Sequence, residues 1–368
     1  MQMLSTFCFT KCLLLLLFSY IINNKFSFCD QILSSPIQDD DYSECGISDF
    51  DPFNAQNVDG EIISHVSKGH TVDDDRALPW MATLLSSSFD NIQNATVYEP
   101  FCTATIIGPR HILTALHCVA DINLFADNYK FSFGAVQCSK QTQKLRIKRV
   151  HYHENATYLV FNDKLKLVGG EYGEVVHPDF ALIESVEPIQ FSSRVRPICL
   201  FGIGASNLKN SFSEKISAQH INNSRPFVIA GWGYTKSKCS RELQSTSDQL
   251  MYGTMRMVSK DDCLITYDTS ALPPDPIGSI AMELNEMNFL DKICLVAEPS
   301  ITEPGDSGSP LLSKIGDKNW VQVGVLFGGG GCSEKHPFST SRRHSLYTPI
   351  DCDWISRVTN DEVKCKGW

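Results

Sequence analysis

The sequence predicts an all-β fold closed by a single C-terminal helix. From Leu78 onward the chain is a succession of short apolar runs separated by turn residues. These runs have the length and the β-branched and aromatic content of strands. One late segment alone carries its apolar residues at helical spacing, and no repeat with a period of about 20–50 residues interrupts the pattern.

Taken in order, the chain begins with Lys11 and an apolar run from Leu13 to Ile22. That run is shorter than the roughly 20 residues a membrane helix needs and has the layout of a secretory signal peptide. Residues 1–29 are assigned to it, with Ser27-Phe28-Cys29 before Asp30 as the candidate cleavage site. Residues 30–65 are acidic, polar and weakly periodic, and are expected to form a pro-segment or light chain. Residues 66–368 form the expected folded domain. Within it "TATIIG", "HILTALHC", "YKFSFGAV", "KLRIKRV", "DFALIESV", "PFVIAGWG", "KICLVAE", "SPLLSK" and "WVQVGVLFGGGG" read as strands with turn punctuation. In "TPIDCDWISRVTN", Ile350, Trp354, Ile355 and Val358 share one helical face. Pro349 enters that helix, and Asp351 and Asp353 lie in its first turn, where the helix dipole favours them.

The formal net charge of -10 argues against a nucleic-acid partner and against docking on anionic membranes. Of 14 cysteines, Cys8, Cys12 and Cys29 lie in the leader and the rest between Cys45 and Cys365. They form no CxxC pair and no zinc-type Cys/His set, and in the oxidising compartment that the leader implies disulfides are expected; the acyl-transfer chemistry set out below requires no metal or organic cofactor. The sequons at Asn94, Asn155 and Asn222 fit the same compartment as glycosylation sites.

Chemistry enters with "EPGDSGSPLL". Ser307 alone is one serine in a Gly/Pro-rich turn. A serine hydroxyl becomes a nucleophile when a base takes its proton, and a histidine oriented by a buried carboxylate suits that role. "TALHCV" places His117 after an apolar strand, and "HPDFALIE" places Asp179 at the start of another. The order His, Asp, Ser, each in its own short motif, excludes the α/β-hydrolase and subtilisin orders.

These motifs resemble those of the chymotrypsin/trypsin family of serine proteases: "TALHC", "DFAL" and "GDSGSP", supported by "PWMATL", "GWG" from Gly231 to Gly233, and "VRPICL" from Val195 to Leu200. The resemblance covers roughly Val66 to Asn360. It implies two six-stranded antiparallel barrels with the site between them. It also implies Ser307 as nucleophile, His117 as general base and then acid, Asp179 as the orienting carboxylate, and the amides of Gly305 and Ser307 as oxyanion hole. Implied disulfides are Cys102–Cys118, Cys45–Cys199 and Cys263–Cys294. Protein or peptide substrates, protease inhibitors as further partners, a monomeric state and an extracellular location follow from the same resemblance.

Several positions depart from the family pattern. Ile301 stands where members that cut after Lys or Arg carry an aspartate, so a specificity unlike trypsin's is expected, with an apolar pocket. Phe327, Gly328 and Gly329 form the expected pocket wall. Phe327 replaces either the family's tryptophan or the serine before it; the first is preferred because a large ring there can pack a substrate. Glu303 replaces a cysteine, leaving Cys332 either to pair elsewhere, with Cys352 as a candidate, or to stay free, and Cys138, Cys239 and Cys365 receive no pairing. Activation would free the amino group of Val66 to meet Asp306, although no Arg or Lys precedes Val66 in "HVSKG". The acidic run Asp73 to Arg76 is expected to be a solvated surface. The competing functional expectation is a catalytically idle homologue acting as a secreted binding or regulatory protein.

Overall fold

The structure is a computed structural model. It describes residues 44–53, 69–91, 94–120, 122, 126–159, 169–170, 175–202, 226–234, 246–258, 292–297, 302–315, 318–329, 344–363 and 365. All of these belong to the unit Tyr42–Trp368, distinct from the unit Met1–Asp41. Val66, Ile301, Asn222, Cys239, Cys263 and Cys332 lie outside the described residues.

In chain order the strands are β1 (His70–Thr71), β2 (Met81–Asp90), β3 (Ala95–Ile106), β4 (His111–Thr114), β5 (Tyr129–Phe133), β6 (Gln143–Tyr152), β7 (Thr157–Leu159), β8 (Gly169–Gly170), β9 (Val175–His177), β10 (Ala181–Ser185), β11 (Cys199–Leu200), β12 (Phe227–Gly231), β13 (Met251–Met257), β14 (Ile293–Ala297), β15 (Pro310–Lys314), β16 (Trp320–Gly329) and β17 (His344–Pro349). Among the described residues one α-helix, α1 (Cys352–Val358), follows.

Two closed six-stranded antiparallel barrels result. The first runs β10-β4-β3-β2-β5-β6 and closes through β6–β10. The second runs β13-β12-β15-β16-β17-β14 and closes through β13–β14, with β1 and β11 added at its margin. Closure leaves few free sheet edges. In β6 the alternation expected of a barrel wall runs from Gln143 to Ile147, with Lys144 and Arg146 exposed and Ile147 buried; it is interrupted at Lys148, where the pairing with β10 shifts register, and Val150 is the next buried residue. Phe131 and Phe133 of β5 stack in the first interior at 5.9 Å between centroids. Phe227, Ile229, Leu295, Leu311 and Tyr347 fill the second.

The helix is local chemistry completed by packing. Asp351 caps it by accepting a hydrogen bond from the Trp354 amide at 2.9 Å. Trp354 and Ile355 are buried against the first core. Their burial contributes roughly 1.5–3 kcal/mol per side chain, which a seven-residue helix needs because so short a helix is not stable alone. Cys352 is bridged to Cys365, so the alternative of a Cys332–Cys352 pair is corrected: the helix start and the chain end lie near enough to join.

Candidate active site

His117 sits in the short 3-10 turn Leu116–Cys118 that follows β4. Its neighbour Cys118 is bridged to Cys102 on β3, and the two sulfurs and a ring nitrogen of His117 lie within 4.8 Å of one another. The turn is thereby pinned to the strand beside it. Asp179 lies two residues before β10, whose pairing with β4 brings Ala181 opposite Thr114. That register carries the carboxylate to the histidine turn.

Asp179 is fully buried and spends both oxygens on His117. Oδ1 accepts from the His117 backbone amide at 2.9 Å and Oδ2 is 2.7 Å from the ring Nδ1. A carboxylate can only accept, so the Nδ1 proton faces it and Nε2 keeps its lone pair. Burial disfavours the imidazolium, but the charge and the hydrogen bond of Asp179 outweigh it, and the His117 pKa is raised above its ordinary value. Lys292 acts in the opposite sense. The ring remains about one-third exposed, with a side-chain accessibility of 31%.

Ser307 is half-buried in the turn that leads into β15. Gly305 and Gly308 adopt φ of 94° and 81°, the left-handed region that favours glycine. Thr103 of the first barrel holds this turn through both its backbone amide and its hydroxyl. The Thr103 amide donates to the Ser307 carbonyl at 2.9 Å, and its hydroxyl donates to the Gly305 carbonyl at 3.0 Å. A Cβ on Gly308 would lie 2.4 Å from the Thr103 carbonyl oxygen and 3.0 Å from the Ala115 amide nitrogen. Thus the serine turn lies against the strand end that leads to His117. Deeper in the interface, Thr105 Oγ1 donates to the buried Gln322 Oε1 at 2.7 Å.

Behind the serine, Asp306 is buried. Its carboxylate accepts from the Gly233 amide at 2.8 Å and from the Glu303 amide at 2.9 Å. Among the described residues no cation is paired with it. Burial raises its pKa to about 7, against the lowering effect of those two amides.

Strand β16 runs beside the serine turn: the Gly308 amide donates to the Leu326 carbonyl at 3.1 Å and the Leu326 amide to the Ser309 carbonyl at 2.9 Å. Phe327 and Gly328 come next and are half-buried. The buried Lys292 places its ammonium 4.8 Å from the Phe327 ring centroid and donates to Thr348 Oγ1 at 2.9 Å. Cys45 is bridged to Cys199, and Cys294 is disulfide-bonded. Cys138 is a free thiol. Asn94 and Asn155 are exposed.

Sequence reasoning missed Thr103, Thr105, Gln322 and Lys292. Thr103 and Thr105 carry only the alternation of a strand, and a lone buried lysine has no motif. Three-dimensional pairing alone reveals their roles.

The trypsin family model matches residues 67–355. The chain is 30% identical over 265 residues to a CLIP domain-containing serine protease, C9, of Anopheles gambiae, a match covering 70% of this chain. It spans about 60% of the length of that relative. Two antiparallel barrels, a histidine–aspartate pair at the margin of one and a glycine-framed serine turn in the other agree with those similarities, and the chain belongs to the trypsin family of serine proteases.

Proposed function

We propose that this protein is a secreted serine endopeptidase that cleaves peptide bonds through an acyl-enzyme. The observation that carries the reading is the His117–Asp179 pair, with Nδ1 held at 2.7 Å from a fully buried carboxylate. In that tautomer Nε2 takes the Ser307 proton as Oγ attacks the substrate carbonyl, then returns it to the leaving amine. Water repeats the cycle to release the acyl group. The amides of Gly305 and Ser307 bind the oxyanion; such a donor is worth about 3–4 kcal/mol of transition-state stabilisation. None of these steps draws on a metal or organic cofactor. With Ile301 in place of a carboxylate, specificity differs from cleavage after Lys or Arg, and Phe327, Gly328 and Gly329 line the substrate wall.

Residues 1–29 direct secretion and 30–65 form the pro-segment, tethered through Cys45–Cys199. Freeing Val66 supplies a cation for Asp306. Asn94, Asn155 and Asn222 are glycan acceptors, and protein substrates and protease inhibitors are the partners of the monomeric domain. A second reading, an idle homologue used for binding, is favoured by one observation: Asp306 meets backbone amides and no cation among the described residues. Peptidase assays on the secreted, processed protein separate the two. Hydrolysis lost in both Ser307→Ala and His117→Ala supports the enzyme; no hydrolysis by the wild-type protein, or equal hydrolysis by all three, supports the idle reading or a contaminant.

A further inference from the structure

Three strands of the first barrel stop at one row. Ala181 opens β10, and it pairs with Thr114, the last residue of β4, and with Tyr152, the last residue of β6. Because β10 is antiparallel to both, the His117 turn, the Asp179-Phe180 segment and His153 all leave the sheet on the same side, beyond the last ladder pairing. β6 supplies two side chains there. Tyr152 donates its hydroxyl to the carbonyls of Val119 and Ala120, at 3.0 and 3.2 Å, just past the turn Leu116–Cys118 that carries His117. His153 meets the other partner: its ring lies edge-on to the buried Phe180, next to Asp179, at 5.7 Å between centroids, and Trp354 of α1 packs on the same Phe180 ring at 5.3 Å. The His153 ring is fixed at both nitrogens. Nδ1 accepts from the Asn155 amide at 3.0 Å, so Nε2 carries the proton and donates to Asp351 Oδ2 at 3.2 Å, while Asp351 Oδ1 caps α1. The helix thus backs His153, and His153 backs Phe180.

We infer that Tyr152 and His153 are positioning residues for the proposed reaction: Tyr152 braces the His117 turn, His153 braces the Asp179 segment, and together they hold the 2.7 Å contact between His117 Nδ1 and Asp179 Oδ2. This rests on the endopeptidase reading and names how its base is kept in line. Both residues act through backbone carbonyls and a neighbouring ring rather than on the substrate. Orientation is where such remote bracing counts, since a misplacement of about 1 Å originating far from the chemistry can cost about 100-fold in rate.

The test uses secreted, processed protein, first treated with a fluorophosphonate to show that the nucleophile works. Tyr152→Phe keeps the ring and removes the hydroxyl. His153→Gln keeps a donor for Asp351 and removes the ring from Phe180. Kinetics are measured on the peptide that the wild-type protein cleaves fastest in a random library, with rates normalised to the folded fraction by circular dichroism. The expected result is a kcat about five- to fiftyfold lower in each variant with KM within about twofold, the pattern of a loss confined to the transition state. His153→Phe, which restores a ring against Phe180 but not the polar bonds, should retain more kcat than His153→Gln even if it is less stable. The acid limb of kcat/KM adds a readout that packing alone would not move. Burial lowers the His117 pKa, Asp179 more than offsets it and Lys292 opposes Asp179. A loosened contact weakens the Asp179 share, so the limb moves to lower pH. In either variant, a loss confined to KM, a kcat within about twofold of wild type, or a lower kcat with an unmoved limb overturns the role of that residue and leaves the enzyme reading standing. Absence of labelling in the wild-type protein overturns the enzyme reading and this inference with it.

Discussion

Thr103 binds Gly305 across the barrel interface, its hydroxyl donating to the Gly305 carbonyl at 3.0 Å while its amide donates to the Ser307 carbonyl. One residue of the first barrel therefore fixes both ends of the turn proposed to form the oxyanion hole. Thr103→Val keeps the strand and its amide but removes the hydroxyl. A neutral hydrogen bond contributes about 0.5–1.5 kcal/mol, so kcat/KM is expected to fall about two- to tenfold, with kcat falling more than KM rises. Steady-state kinetics checks this; a change confined to KM contradicts it.

Gly308 is a sharper point in the same turn. It combines a φ of 81° with a virtual Cβ 2.4 Å from the Thr103 carbonyl oxygen. Gly308→Ala has neither the backbone freedom nor the space, and is expected to destabilise the domain by more than about 2 kcal/mol. Thermal unfolding of the purified variant, or loss of secretion, reads this directly.

Much of the fold is legible in the sequence alone. Strand-length runs such as "DFALIESV" and "SPLLSK" form β10 and β15, and the Ile350, Trp354, Ile355 face forms α1. Strand β13 carries no such signal. Its sequence "MYGTMRM" lacks β-branched apolar residues and carries Gly253 in its interior, so local pattern is weak and pairing with β12 and β14 decides the outcome. In the candidate site, His117, Asp179 and Ser307 stand in short motifs because their chemistry constrains their immediate neighbours. The residues packed around them stand in no motif, because Thr103 and Gln322 bond to partners about two hundred positions away, 202 and 217 along the chain.

Two substitutions should move the pH dependence in opposite directions. His117 must be neutral to accept the serine proton, so activity falls as pH drops through its raised pKa. Asp179→Asn removes the groups that raise it, so the acid limb shifts to lower pH and kcat falls by about 10⁴-fold. Lys292→Met removes a cation that opposes the imidazolium, so the limb shifts to higher pH. A pH–kcat/KM profile of each variant reports the direction; identical limbs would rule out the assigned electrostatics.

Asp306 gives the unprocessed protein a distinctive stability profile. Its folded pKa, about 7, lies above the ordinary 3.8, so the native state binds the proton more tightly than the unfolded chain. The group's contribution is therefore greatest at low pH and is lost as pH rises from about 4 to about 7. Chemical denaturation of unprocessed protein across that window should show stability falling with pH, with a flatter profile in Asp306→Asn. Processed protein should also be flatter, because a new amino group would neutralise the buried carboxylate. Equal slopes in all three would remove Asp306 as the cause.

The bridge Cys352–Cys365 closes a short loop at the end of the chain. Replacing both cysteines by alanine should lower stability by up to about 3 kcal/mol on the chain-entropy argument, while leaving kcat/KM within about twofold, a change of about 0.4 kcal/mol in transition-state binding, because neither cysteine contacts His117, Asp179 or the serine turn in any described bond. Parallel unfolding and kinetic measurements separate the two effects.

Catalysis requires Ser307 to be a nucleophile activated by His117. Mass spectrometry of processed protein after treatment with a fluorophosphonate tests it most directly. The expected result is a single adduct on the peptide containing Ser307, formed by the wild-type protein and lost in His117→Ala. No adduct, an adduct elsewhere, or equal labelling of Ser307 in both proteins would contradict it.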